Sequence, residues 1–198
     1  MLLNTQLRMN TISQQRKEVL LPFVNYIVDK LQSNQLINLI FICTHNSRRS
    51  QLAQVWAMHY AEQYNISINS FSGGTEVTAC NERTIASLKR SGFDINQKDE
   101  STNPNYEVTV GSKNLGLFSK LYDDTSNPTK DFAAIMTCSH AEQNCPFIPG
   151  ASKRISIPYD DPKGFDDTDL EAAKYDERSQ QIAQEMEFVF STVNEIIK

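Results

Sequence analysis

The sequence lacks the features that mark several large classes of protein. It has no apolar run of the length that a membrane-spanning helix needs and no signal-peptide pattern at its N-terminus. Its net charge of -5 and its pI of about 5.2 provide no basic surface of the kind that binds nucleic acid. We therefore predict a cytoplasmic protein that binds neither a membrane nor nucleic acid.

Histidine and cysteine are also scarce. The 198 residues include three histidines and four cysteines, and these do not fall at the spacing of a zinc site. Structural disulfides are uncommon in a reducing cytoplasm, so we expect thiols that are catalytic or inert and no bound metal. No role follows from the sequence for Cys80.

The pattern of apolar residues predicts one α/β domain with a parallel sheet. The predicted helices cover residues 12–33, 49–64, 80–91 and 169–196, and the predicted strands cover residues 36–42, 66–71, 132–137 and 154–157. Two further runs, 106–110 and 115–121, are interpreted as a hairpin-like excursion. We expect Pro22 to kink or delay the first helix and a break near Tyr175 in the last one.

The most informative segment is C-T-H-N-S-R-R-S, at the end of the first predicted strand. Cys43 is followed by five residues, and then Arg49 and Ser50 begin a helical pattern. Amides of such a loop, with the positive end of the next helix, favour a thiolate and a bound tetrahedral anion. Arg49 can hold two anion oxygens, and Ser50 can donate to the sulfur. The loop residues between are Thr44, His45, Asn46, Ser47 and Arg48. A purely structural cysteine is the alternative.

A second cysteine cluster follows the predicted strand 132–137. Cys138 and Cys145 are too far apart for a C-x-x-C motif, but a flexible segment between them can still close a disulfide. If Cys138 reaches Cys43, a relay becomes feasible in which Cys138 attacks an oxidised centre on Cys43 and Cys145 resolves the product. Two cysteines without function near a loop are the alternative.

A candidate acid lies in the segment Y-D-D-P-K-G-F. Asp161 precedes Pro162, which favours an extended backbone and stiffens the loop. A carboxylic acid there can protonate a departing oxygen. Asp160 competes for this role, and a solvated acidic turn is the alternative reading of the segment.

These motifs together resemble the low-molecular-weight tyrosine phosphatase family, and within it the thioredoxin-coupled arsenate reductases. The loop C-T-H-N-S-R-R-S-Q is similar to the reductase pattern C-T-G-N-S-C-R-S-Q, and F-S-G-G-T-E to Y-S-A-G-x-E. The segment C-S-x-A-x-x-N-C-P-x-x-P carries two cysteines at the reductase spacing, and Y-D-D-P matches F-D-D-P. The resemblance covers residues 36–197. We therefore divide the chain into an N-terminal helical extension, 1–35, and a phosphatase-like domain, 36–198.

The resemblance implies a three-layer, flavodoxin-like fold with a central parallel sheet of four strands flanked by helices. It also implies roles. Cys43 attacks arsenate, Arg49 and the loop amides hold the oxyanion, and Asp161 protonates the departing hydroxyl. Cys138 then displaces arsenite by forming a disulfide with Cys43, Cys145 takes over Cys138, and thioredoxin reduces the final disulfide. The alternative is hydrolysis of a phosphomonoester through a phosphorylated Cys43.

Some positions depart from the family pattern. His45 stands where the family has Gly, so it carries strain if that position requires a positive φ, although it also adds a cation near the anion. Arg48 replaces a loop Cys, and Lys163 replaces an aromatic residue of the phosphatases. The stretch 103–130 is longer than in short reductases, which favours a larger phosphorylated substrate. His45 also leaves a third reading open, a protein that binds oxyanions or phosphopeptides without catalysis.

No bound cofactor is implied, and thioredoxin enters only as an external reductant. Some of the reductases carry a potassium site, but three of its positions differ here. Gln54 replaces a Glu, Asp99 a Thr and Ser101 an Asp. We therefore expect no metal site at these positions.

Overall fold

The computed structural model describes residues 12–144 and 147–198, which form five helices, seven strands and a 3-10 helix in these ranges. In chain order they are α1 (Gln14–Gln32), β1 (Asn38–Cys43), α2 (Arg49–Gln63), β2 (Asn69–Gly74), α3 (Glu82–Arg90), β3 (Asp94–Gln97), β4 (Tyr106–Val110), β5 (Lys113–Leu117), β6 (Phe132–Met136), α4 (Ser139–Asn144), β7 (Ala151–Ser156), a 3-10 helix (Pro162–Phe165) and α5 (Glu171–Ile196). No helix in these two ranges combines the length and hydropathy that a membrane crossing demands.

The central sheet has four parallel strands in the order β2-β1-β6-β7. Strand β1 lies inside the sheet, and its apolar residues 39–42 are fully buried, as expected for a strand covered on both faces. Leu39 and Phe41 pack with α1, α2 and α5, whereas Ile40 and Ile42 pack on the opposite face with residues of α4. The predicted three-layer α/β fold is therefore confirmed.

The excursion predicted as hairpin-like is a three-stranded antiparallel sheet in the order β3-β4-β5. Strands β4 and β5 were expected, but β3 was not, because its sequence D-I-N-Q buries only Ile95. The expected break near Tyr175 is wrong: α5 runs unbroken through Tyr175, whose fully buried side chain anchors the helix instead. Pro22 lies inside α1 without ending it.

Helix α1 contributes to the same hydrophobic core as the helices that follow. Its residues Leu20, Phe23 and Ile27 are fully buried. The ring of Phe23 meets the rings of Phe41 in β1 and Phe190 in α5 edge to face, with centroids 6.2 and 6.3 Å apart. The division of the chain at residue 35 remains a prediction, and α1 packs as an integral layer of the fold.

Candidate active site

The nucleophile candidate lies at the carboxyl end of the central strand. Cys43 ends β1, is 3% exposed, and has its Sγ atom 3.1 Å from Ser50 Oγ in the first turn of α2. Asn46 Nδ2 donates a 2.9 Å hydrogen bond to the same Ser50 oxygen. Because Ser50 Oγ accepts from Asn46, its own proton is left for the sulfur. The arrangement therefore suits a thiolate at Cys43.

Asn46 sets the curvature of the loop. It adopts a φ of 46°, a left-handed conformation that Asn tolerates better than most residues. Its Oδ1 accepts from the backbone N–H of Lys120 at 3.1 Å, and its carbonyl accepts from Gln51 Nε2 at 2.9 Å. The strain considered for His45 is absent, because the left-handed residue of this loop is Asn46. His45 instead pairs with Glu76 at 3.2 Å.

The stretch that follows β5 supports the loop from outside. Ser119 Oγ donates a 2.7 Å bond to the carbonyl of His45 and accepts a 2.9 Å bond from the amide of Thr78. The backbone of Tyr122 packs so closely on β2 that a Cβ atom at Gly73 would lie 2.3 Å from its Cα. The stretch 103–130 thus supplies loop supports that no sequence motif had indicated.

Arg49 and Asp161 face each other across the site. Arg49 Nη2 donates a 2.6 Å bond to Asp161 Oδ2, and its Nη1 donates a 3.0 Å bond to the carbonyl of Tyr159. Arg49 Nε is buried and has no hydrogen-bond partner among the described residues. Since a buried donor without a partner is costly, this N–H is well suited to bind an oxyanion. The side chain of Asp160 is 95% exposed, so of the two acids only Asp161 reaches the loop.

The side chain of Arg48 leaves the loop in another direction. Its Nε donates a 2.7 Å bond to the hydroxyl of Tyr175, and its Nη2 lies 3.2 Å from Asp166 Oδ2. Sequence reasoning grouped Arg48 with the oxyanion-binding loop and assigned no part to Asp166 or Tyr175. No motif signals them, because both lie far along the chain.

Cys138 lies beside the loop, as expected from the parallel sheet. Strands β1 and β6 end together, and the amide of Thr137 donates a 2.7 Å bond to the carbonyl of Ile42. Cys138 Sγ is 3.5 Å from Thr44 Oγ1 and accepts a 3.4 Å bond from the amide of Ala141. Cys43 and Cys138 are free, buried thiols of one apolar cluster. The predicted partner Cys145 lies outside the described residues.

Cys80 is set apart from the other thiols by its surroundings. Burial raises its pKa to about 12, although nearby Lys120 opposes the shift. It therefore stays protonated at neutral pH and is a poor nucleophile. In the described ranges, no group of three or more His, Cys, Asp or Glu side chains is arranged to hold a metal ion.

A cavity of about 490 Å³ opens next to the loop. Ser47 and Arg48 of the loop border it on one side, and Thr102, Tyr106 and Lys163 border it on the others. Its walls are largely polar. The site thus offers a thiol on an anion-binding loop, a facing carboxylate and a second thiol, and the cavity borders this loop at His45, Ser47 and Arg48.

The chain is similar to known proteins in sequence and in fold. The family model for low molecular weight phosphotyrosine protein phosphatase matches residues 38–108. An arsenate reductase of Staphylococcus aureus (strain Newman) is 31% identical over 125 residues, which are 63% of this chain and 77% of that protein. Arsenate reductase 2 of Staphylococcus haemolyticus is 30% identical with the same coverage.

Solved structures agree on the fold. An arsenate reductase in its phosphate-binding state aligns with a TM-score of 0.52 and 16% identity, covering 80% of this chain and 99% of that one. A low molecular weight phosphotyrosine phosphatase from Vibrio cholerae O395 aligns with a TM-score of 0.52 and 13% identity, covering 79% and 95%. The chain belongs to the low molecular weight phosphotyrosine protein phosphatase family, with arsenate reductases among its relatives.

Proposed function

We propose that this protein reduces arsenate to arsenite through a relay of Cys43, Cys138 and Cys145. The observation that carries the proposal is the position of Cys138, whose sulfur lies 3.5 Å from the hydroxyl of Thr44, the residue after Cys43. A phosphatase requires only the first of these thiols. A second thiol at the rim of the same loop is what a two-electron reduction requires.

In the first step the Cys43 thiolate attacks the arsenic atom of arsenate. A sulfur–arsenic bond forms, an arsenic–oxygen bond breaks, and the departing oxygen leaves as water after it takes a proton from Asp161. Arg49 and the loop amides hold the remaining oxygens. The unpartnered Nε of Arg49 and its contact with Asp161 support this division of roles.

In the second step the Cys138 thiolate attacks the sulfur of Cys43. The new disulfide releases arsenic with the electron pair of the broken sulfur–arsenic bond, so arsenic(V) becomes arsenic(III) and leaves as arsenite. Cys145 then attacks Cys138, which frees Cys43 and leaves a Cys138–Cys145 disulfide. An external dithiol, for which we propose thioredoxin, reduces that bond.

Helix α4 imposes a condition on this last exchange. It consists of the six residues Ser139–Asn144, between the two cysteines. A helix of that length rises about 9 Å, whereas the Cα atoms of bridged cysteines lie roughly 4.4–6.8 Å apart. Closing the Cys138–Cys145 disulfide therefore requires either that α4 unwinds or that the chain after Asn144 turns back toward Cys138.

A second candidate is hydrolysis of a phosphomonoester, as the family model's description suggests. It uses the same attack by Cys43, on phosphorus, with Asp161 as the acid and water as the second nucleophile. It draws on the cavity of about 490 Å³ that borders the loop at His45, Ser47 and Arg48, which leaves space next to the loop for the organic group of a phosphomonoester.

One pair of assays separates the candidates. NADPH consumption is measured with arsenate, thioredoxin and thioredoxin reductase, and p-nitrophenyl phosphate hydrolysis is measured beside it. Arsenate-dependent consumption that is lost on Cys138→Ala supports reduction. Hydrolysis without such consumption contradicts it and supports the phosphatase. If neither occurs and iodoacetamide fails to alkylate Cys43, the site only binds oxyanions.

A further inference from the structure

Two consecutive arginines of the loop reach the two ends of one short helix. The 3-10 helix Pro162–Phe165 has Asp161 as its N-cap and Asp166 as its C-cap. Arg49 bonds to Asp161 at 2.6 Å, and Arg48 lies 3.2 Å from Asp166. The segment that carries the proposed acid is therefore attached to the anion-binding loop at both ends.

Arg48 is held in a closed triangle of hydrogen bonds. Its Nε donates to the hydroxyl of Tyr175, and that hydroxyl donates a 2.8 Å bond to Asp166 Oδ1. Asp166 Oδ2 accepts from Arg48 Nη2, so each of the three side chains contacts the other two. Tyr175 is fully buried in α5, which anchors the triangle to the core of the fold.

The protonation states of the triangle agree with this pattern. Burial raises the pKa of Tyr175, and its bond to Asp166 adds to that effect while Arg48 opposes it. Tyr175 therefore keeps its proton and can donate to Asp166. Burial lowers the pKa of Arg48, but the bond to Tyr175 and the charges of Asp161 and Asp166 outweigh burial, so that the net shift is upward. Arg48 stays charged.

We propose that Arg48 is a positioning residue, which together with Tyr175 and Asp166 holds Asp161 in place for proton transfer. This inference rests on the proposed role of Asp161 and applies to both candidate reactions. Arg48 Nε lies 3.9 Å from Asp161 Oδ1, an ion pair beyond hydrogen-bond distance, so Arg48 holds Asp161 by its charge and through the segment and not by direct proton transfer. Displacements of about 1 Å in such a support cost catalysis up to roughly 100-fold.

A direct contact between Arg48 and substrate is the competing role, because Arg48 also borders the cavity. The two roles predict different kinetics. A lost substrate contact weakens binding, and raises KM and the inhibition constant of inorganic phosphate. A displaced acid slows the first step, which kcat/KM reports, and lowers kcat/KM more for a poor leaving group, which depends on protonation, than for a good one.

The test compares Arg48→Met, Tyr175→Phe and Asp166→Asn with the wild-type protein. Arg90→Met is the matched control, since it breaks a partly exposed ion pair of Arg90 with Asp176 that joins α3 to α5. For each protein we measure kcat/KM for p-nitrophenyl phosphate and for phenyl phosphate, the inhibition constant of phosphate, and amide hydrogen exchange over residues 160–166. Tyr175→Phe, which removes one oxygen atom, keeps the test valid if Arg48→Met does not fold.

We expect the ratio of kcat/KM for p-nitrophenyl phosphate to kcat/KM for phenyl phosphate to rise about tenfold in Arg48→Met, with an unchanged inhibition constant of phosphate and faster hydrogen exchange in 160–166. An equal loss of activity on both esters would overturn the inference. So would a higher inhibition constant of phosphate, or unchanged hydrogen exchange in 160–166. If the wild-type protein neither hydrolyses the esters nor reduces arsenate, the proposed function fails. The exchange measurement then decides on Arg48 by itself, because it requires no turnover.

Discussion

The guanidinium of Arg49 donates a 2.6 Å hydrogen bond to the carboxylate of Asp161. This bond joins the group proposed to hold the oxyanion to the group proposed to act as the acid. An arriving oxyanion competes with Asp161 for Arg49, and we expect its binding to free the carboxyl group to turn toward the departing oxygen. The buried Nε of Arg49 offers a further donor to the anion.

Replacing the acid tests that assignment. Asp161→Asn keeps the size of the side chain but removes its transferable proton, so the first chemical step should slow roughly 100-fold or more. Asp160→Asn is the control, because the Asp160 side chain is 95% exposed and faces Arg178 at 3.5 Å. Single-turnover rates are measured for both. A large loss in Asp160→Asn alone would transfer the role to Asp160.

Two substitutions separate the effect of the left-handed backbone at Asn46 from the effect of its side-chain hydrogen bonds. Asn46→Ala loses the hydrogen bonds to Ser50 and Lys120. It also places alanine, which adopts a left-handed backbone less readily than Asn or Gly, at a φ of 46°. Asn46→Gly loses the same bonds without that strain. We expect both variants to lose phosphate binding, and Asn46→Ala to be less stable than Asn46→Gly by about 1 kcal/mol in urea unfolding. Equal stabilities would contradict the assigned strain.

A buried ion pair connects α1 to α5. Arg16 donates two 2.8 Å bonds to Glu185, whose side chain is 3% exposed, and it also stacks over the ring of Tyr159 at 4.9 Å. Arg16→Met leaves a buried carboxylate without its partner, which should lower the free energy of unfolding by about 3–5 kcal/mol. Lys174→Met, which breaks the surface pair with Glu177, should change it by less than about 1 kcal/mol.

The pair can also be removed as a whole. Leu at position 185 together with Met at position 16 eliminates both charges, so Arg16→Met combined with Glu185→Leu should recover much of the lost stability. Urea unfolding measures all these variants. A double variant no more stable than Arg16→Met would show that packing, and not the unpaired charge, accounts for the loss.

Lys120 makes stability depend on pH. Burial lowers its pKa from 10.5 to about 8, while Asp124 and Cys80 oppose the shift. The folded chain thus releases this proton near pH 8 and the unfolded chain near 10.5, so the unfolded state binds more protons between these values. The free energy of unfolding of wild type should therefore rise with pH relative to Lys120→Met, by about 3 kcal/mol across the window.

Urea unfolding of both proteins at intervals from pH 7.5 to 10.5 measures this difference. Taking the difference in free energy of unfolding between the two proteins removes the pH dependence of titrating groups that they share, such as the tyrosines. Parallel curves for wild type and Lys120→Met would contradict the lowered pKa. If the stability of wild type relative to Lys120→Met instead fell as pH rises, the pKa of Lys120 would be raised by folding and not lowered.

The sequence predicted the parts of the site that depend on strand ends and spacing. Cys43 and Cys138 follow apolar strands, and parallel strands bring their carboxyl ends to one edge, so their proximity was expected. The direction of the Arg48 side chain was not predictable, because its partners Asp166 and Tyr175 meet it only through tertiary packing. The contacts by which the stretch 103–130 supports the loop were not predictable for the same reason.

Local backbone conformation was a second feature that the sequence did not predict. The positive φ belongs to Asn46, although the departure at His45 had drawn attention to the neighbouring position. Helix α4 was not predicted, since its S-H-A-E-Q-N sequence is short and has no apolar periodicity. Strand β2 lies three residues later than expected, at Asn69–Gly74, because Gly73 and Gly74, a residue type uncommon in strands, pair with Ile42 and Cys43 of β1.

The central claim is that arsenate drives a disulfide between Cys43 and Cys138. The most direct measurement uses Cys145→Ala, which lacks the third thiol, mixed with arsenate, alkylated and mapped as peptides by mass spectrometry without reduction. We predict one Cys43–Cys138 disulfide and one arsenite per chain, with the same disulfide in the Cys145→Ala variant that also carries Cys80→Ala. Free Cys43 and Cys138 thiols after arsenate, or a disulfide that forms equally without it, would contradict the claim.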